Sequence, residues 1–260
     1  MLINIQFLRF VAALLVVFYH TAARMPENPT SLHGLFAIGE AIGFAGVDIF
    51  FVISGFIMAH TTMDQSGATA GSGFARRRFA RIYSGHWPFF ILTLVVFYWA
   101  RQDHFAASNL LSSFFLWPQP LNRTLLEITW TLSFELYFYL LFCLLIWLCP
   151  RSARLRICSI IIVALLFLAL YRQFVLGSFE PDQLYLMSFW DYFLTSPFII
   201  EFFAGAIIAY LLYDRPVGRS TSWLVTGVLL FLGGGLINGQ VFGGEIEQGF
   251  HVVPLSLIHI

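Results

Sequence analysis

The side chains able to do chemistry in this chain are ionisable residues set inside apolar runs. In hydrocarbon a charged group is costly unless it is paired or hydrated, so each one needs an account. Arg9 and His20 share the first run. Their spacing is nearly three whole helical turns, so they lie on one face, about 16 Å apart along the axis. Asp48 lies in Gly46-Val-Asp-Ile-Phe-Phe-Val-Ile-Ser-Gly55 of the second run, and Glu135 ends Trp130-Thr-Leu-Ser-Phe-Glu135 of the fourth. Glu201 lies in the sixth. Carboxylates near a histidine fix its tautomer and raise its basicity, which a general base requires. Plainer roles stand beside these. Arg9 also suits a snorkelling anchor, His20 a core histidine bonded to a carbonyl, and the acids groups that merely hold helices together.

A second signal is Phe74-Ala-Arg-Arg-Arg-Phe-Ala-Arg-Ile-Tyr83. If this segment is helical, Arg78 and Arg81 lie on one face three residues apart. Two guanidiniums so placed can grip a phosphate bidentately. Positive-inside topology accounts for the same arginines without any ligand.

Other chemistries are excluded. All 14 basic residues are Arg, which removes a Walker A lysine, a Schiff base and a lysine general base. Cys143, Cys149 and Cys158 have neither disulfide nor zinc spacing and read as small core residues, so no metal is expected. There is no H-E-x-x-H, G-x-S-x-G or G-x-G-x-x-G, and Ser54 and Ser133 have no elbow around them. The net charge of zero argues against a nucleic-acid partner.

The elements that must position these residues are membrane helices. Hydrophobic residues make up 59% of the 260 and charged residues 11%, too few to clothe a water-facing surface. The mean hydropathy of +0.80 agrees. Runs near the length of a bilayer crossing fall at about 3–23, 41–60, 84–100, 126–148, 158–176, 191–212 and 223–237. The expectation is an all-α polytopic transmembrane bundle of about seven complete spans plus a partial eighth, forming one domain over 1–260. The partial eighth begins near His251 and stops at Ile260, so the chain reads as a C-terminally truncated piece. The N-terminus lacks the marks of a cleavable signal, and the first span reads as an uncleaved anchor. Arg76, Arg77, Arg78, Arg81, Arg151, Arg154, Arg156, Arg215 and Arg219 follow the even spans, against Arg24, Arg101, Arg123 and Arg172 on the other side. That asymmetry puts the N-terminus in the cytoplasm. Arg78 and Arg81 then face the cytoplasm, with Arg9 near that end. His20, Asp48, Glu135 and Glu201 lie in the outer half and are expected to form one polar cluster.

Four segments in this order resemble the acyltransferase 3 family of bacterial membrane acyltransferases. They are Gln6-Phe-Leu-Arg9 with Val16-Val-Phe-Tyr-His20; Gly46 through Phe56; Arg78-Phe-Ala-Arg81 with Ile82, Tyr83 and Trp87; and Trp130 through Glu135. The resemblance covers residues 3–140 by motif and the rest by hydropathy, and its flavour is that of the exopolysaccharide-modifying branch. It implies an inner-membrane O-acyltransferase that takes its acyl group from cytoplasmic acyl-CoA, usually acetyl-CoA. The acceptor it implies is a sugar hydroxyl on an exported or surface polysaccharide or a lipid-linked glycan. His20 is then the base or transient acyl carrier, with Asp48 and Glu135 in the catalytic cluster and Arg9, Arg78 and Arg81 near the CoA phosphates. Family members usually have about ten spans. A proton-coupled transporter of sugars or lipid-linked glycans could use the same His and acids as a relay. Against it, the sequence has no internal repeat and no matched pair of broken helices.

Overall fold

The computed structural model describes residues 2–22, 43–171, 189–196 and 198–213, with Gly227 and Leu229. The regular elements among these residues are helices, with no strand. The helices are α1 (Leu2–Ala22), α2 (Ala45–Thr61), α3 (Ala68–Ala100), α4 (Gln102–Ala107), α5 (Leu110–Phe115), α6 (Trp130–Leu148), α7 (Arg151–Tyr171), α8 (Phe189–Leu194) and α9 (Phe198–Leu212). Four helical stretches, Asn4–Thr21, Ala68–Ala100, Glu127–Leu148 and Arg151–Tyr171, are long and apolar enough to cross a membrane. Ala45–Thr61 and Phe198–Leu212 are shorter apolar helices. The expected run at 223–237 and the partial run from His251 lie outside the described residues.

The helices divide into two compact units. The first holds α1, α2, α9 and the part of α7 beyond Leu155. Its largest helix contact is α2 against α9. Phe51 meets Phe198 at 5.1 Å between ring centroids, and His60 meets Tyr213 at 6.0 Å, so the two helices run parallel. Between those ring pairs the backbones touch. A Cβ on Gly55 would strike the Phe202 carbonyl oxygen, and one on Gly205 would strike that of Val52. Small residues that allow such approach are the usual means of packing helices where lipid removes the hydrophobic drive. Gly46 does the same between α2 and α1, against the Ala12 carbonyl and Val16.

The second unit spans residues 62–154 with α8. Here α3 and α6 pack antiparallel. The Gly67 N–H donates to the Ile146 carbonyl at 3.1 Å, and Gly71 abuts Cys143 and Trp147. Phe74 packs on Phe142 and Tyr139, at 5.8 and 6.2 Å. Gly67 starts α3 at φ 90°, a backbone region that glycine enters without strain. Arg154 locks the connector before it. Fully buried, its guanidinium donates to the carbonyls of Cys149, Thr62 and Gln65 and to Ser66 Oγ. Carbonyl dipoles, not a carboxylate, satisfy its charge among the described residues. The nearby Arg151–Asp64 pair, at 3.0 Å, is largely exposed and contributes little by comparison.

Sequence reading makes 74–83 a connector and starts a span at 84. Instead α3 runs unbroken for 33 residues, about 50 Å, which exceeds a bilayer core of about 30 Å. Arginine and alanine are good helix formers, so a polar segment rich in them continues a helix. Even Pro88 lies inside it. Residues 101–129 are also more ordered than a bare connector. Asn109 caps α5 through the Ser112 N–H at 3.1 Å. Ser113 is a hub: its carbonyl meets His86 Nε2 at 2.9 Å, and its hydroxyl accepts from Gln119 Nε2 and the Leu125 N–H, both at 3.0 Å.

Candidate active site

In the second unit, α3 and α6 bring Arg78, Tyr139 and Glu135 together. Arg78 and Phe74 are one turn apart on α3, and Glu135 and Tyr139 are one turn apart on α6, so each pair shares a helix face. The Arg78 guanidinium carbon lies 5.6 Å from the Phe74 ring centroid and 5.9 Å from that of Tyr139. Those two rings are nearly perpendicular, at 86°. The cation thus sits in an aromatic corner, where the negative ring faces attract it. The Tyr139 hydroxyl donates to Glu135 Oε2 at 3.2 Å. Glu135, Arg78 and Arg81 all lie close enough to act electrostatically on Tyr139.

The Arg78 guanidinium is partly buried, and among the described residues its N–H groups make no hydrogen bond or ion pair with protein. Aromatic rings hold it while its donor edges stay open. A guanidinium in that state is ready for a bidentate grip on a phosphate or carboxylate. Arg81, three residues on, is exposed. The grouping changes the expected order of charges. Sequence reading groups Glu135 with His20, Asp48 and Glu201, away from Arg78 and Arg81 at the cytoplasmic face. The antiparallel register of α3 and α6 sets Glu135 level with Arg78 and Arg81. That register comes from Gly67 and Gly71 meeting Ile146, Cys143 and Trp147, and no hydropathy pattern carries it.

In the first unit, α2 and α9 position Asp48 and Glu201. Both acids lie in the first turn of their helices, at the same end of a parallel pair. Both are buried, Asp48 to 1% exposure and Glu201 to 0%. Asp48 Oδ2 is fully enclosed, with no hydrogen-bond partner among the described residues. Asp48 is two residues from Gly46, where α2 docks on α1 at Ala12. His20 lies two turns further along α1, about 12 Å from that contact. It is exposed, with its ring edge-on to Tyr19 at 5.3 Å. Arg9 is half-buried on the same helix. Asp48 and Glu201 are therefore brought to one helix pair, and Arg78, Arg81 and Glu135 to another.

Two residues escaped sequence reading. Tyr139 was in reach, because it stands one helical turn from Glu135. Arg154 was counted only as an orientation marker, and nothing in its local sequence separates it from the exposed arginines around it. Among the described residues no group of His, Cys, Asp or Glu could hold a metal ion.

Comparison with known proteins places these residues in context. The family model described as an acyltransferase domain, that of acyltransferase 3, matches residues 2–259. The exopolysaccharide production protein ExoZ of Rhizobium meliloti (strain 1021) is 32% identical over 181 residues, which is 64% of this chain and 50% of that protein. The acyltransferase MdmB of Streptomyces mycarofaciens is 30% identical over 145 residues, 52% of this chain and 36% of that protein. The chain thus spans half or less of the length of these curated relatives. No solved structure matches it. The long apolar helices mark an integral membrane protein, and the match across nearly its whole length shows that the chain belongs to the acyltransferase 3 family.

Proposed function

We propose that this protein is a membrane-embedded O-acyltransferase of the bacterial inner membrane, with its N-terminus in the cytoplasm. It moves an acyl group, acetyl in our reading, from cytoplasmic acyl-CoA to a sugar hydroxyl of an exported or cell-surface polysaccharide. Family membership and the likeness to an exopolysaccharide production protein support the reaction class and the acceptor class. The observation that carries the donor assignment is Arg78, a guanidinium cradled on its faces with its donor edges open. Such an edge fits a CoA phosphate or pyrophosphate, and Arg81, three residues further along α3, adds positive charge for the same ligand.

Acyl-CoA brings the thioester, whose carbonyl carbon is the electrophile. His20 acts as base, taking the proton of the acceptor hydroxyl as the sugar oxygen attacks that carbonyl, or as the nucleophile that carries the acyl group across. Its proton then neutralises the departing thiolate. Asp48, buried on the helix that docks against α1, supplies negative charge that favours the protonated imidazole. His20→Ala should leave the protein inserted in membranes and reduce glycan acylation by at least about a hundredfold. Mass analysis of the glycan product with acetyl-CoA as donor measures this. Full acylation by the inserted variant overturns the assignment.

A further inference from the structure

We infer that Tyr139 is a positioning residue that makes Arg78 and Glu135 act as one unit, its ring orienting the donor-binding guanidinium and its hydroxyl orienting the carboxylate. This rests on the reading that Arg78 meets the acyl donor. It goes further by giving one buried side chain two separable jobs.

The geometry separates them. The ring of Tyr139 is one wall of the corner that holds Arg78, the other being Phe74. Those walls matter because Arg78 makes no hydrogen bond to protein among the described residues. Without them a long arginine side chain samples many rotamers, and ordering it on binding costs affinity. The hydroxyl, at the edge of that ring, donates to Glu135 Oε2 at 3.2 Å. Tyr139 is itself only 3% exposed, so it cannot swing to follow a ligand. Its two contacts are fixed relative to each other by a rigid ring. A phenylalanine at 139 keeps the wall and loses the hydrogen bond. A leucine there loses both. Leucine at 74 loses the other wall and leaves the hydroxyl contact intact.

Those three substitutions in the membrane-inserted protein give the test, read as acetyl-CoA affinity by equilibrium binding and as kcat for acetyl transfer. Tyr139→Phe should bind acetyl-CoA within about threefold of the parent and lose about tenfold in kcat. Phe74→Leu should weaken binding by about threefold to tenfold and leave kcat nearly unchanged. Tyr139→Leu should show both losses. The nearly isosteric Tyr139→Phe keeps the test decisive if Tyr139→Leu fails to fold. Unchanged kcat in Tyr139→Phe, or unchanged binding in Phe74→Leu, overturns the inference. Arg78→Ala separates this from its premise. If Arg78→Ala binds acetyl-CoA as the parent does, the donor-site reading fails. If Arg78→Ala loses binding while Phe74→Leu does not, the aromatic cradle alone fails.

Discussion

The α2–α9 pair and the α3–α6 pair both place carboxyl groups between apolar helices, and they differ in how they treat them. Between α2 and α9 the backbones touch at Gly55 and Gly205, and the acids are sealed, with one Asp48 oxygen lacking a hydrogen-bond partner among the described residues. Between α3 and α6 large aromatics hold the helices, Glu135 is half-buried, and Arg78 keeps its donor edges open. The first arrangement is suited to hold a group at fixed protonation, and the second to meet a ligand. If the protein joins a charged donor to a sugar hydroxyl as proposed, the open pair is the one suited to meet the donor. Family membership alone does not divide those roles between helix pairs.

The largest expected effect tests the seal. In Gly55→Ala the new methyl would collide with the Phe202 carbonyl, a backbone atom that cannot swing aside. The helices must part, at a cost of about 3 kcal/mol or more, with loss of folded protein in detergent or a sharp fall in Tm. Gly85 on α3 is the matched control, since a Cβ there meets nothing within 4 Å. Gly85→Ala should be neutral or stabilise by up to about 1 kcal/mol through helix propensity. Equal effects of the two changes would break the comparison between a sealed and an open pair.

A second, smaller effect asks what the seal is for. A buried carboxyl oxygen with no partner opposes folding, and such groups persist where function requires them. Asp48→Asn keeps the shape and removes the ionisable group. Tm should hold or rise while acetyl transfer falls about a hundredfold. A matched drop in Tm and activity would instead make Asp48 a structural residue.

Much of the helical layout was legible in the sequence, because apolar runs of span length have few alternatives in a membrane. The runs at 3–23 and 126–148 match α1 and α6 to within a few residues. What was not legible depends on pairs of residues far apart in the chain. Hydropathy breaks at Arg76–Arg78 although the helix does not, because hydropathy measures transfer to lipid and not backbone preference. The meeting of Glu135 with Arg78 follows from the α3–α6 register, which Gly67 and Gly71 set against α6, and from a helix that already begins at Ala68. Arg154 looks like any arginine beside a span, and only its carbonyl partners on the 62–66 connector distinguish it. Asp48 and Glu201 lie in the first turns of parallel helices, so chain direction alone puts them at the same end of one pair.

The smallest expected effect divides the two arginines of the open pair. Arg81 is exposed, so its attraction for an anionic donor acts through solvent and is screened by salt. Arg78 is half-buried against two rings, so the phosphate contact proposed for it would be short-ranged and charge-assisted. Arg81→Ala should therefore raise the KM for acetyl-CoA by about threefold at low ionic strength, an effect that fades as salt approaches about 0.5 M. The larger rise in KM expected of Arg78→Ala should persist across the same titration. KM measured for both variants across a salt series separates a steering charge from a gripping one. If the two variants respond to salt alike, the aromatic corner does not set Arg78 apart, and the open site reduces to a diffuse patch of positive charge.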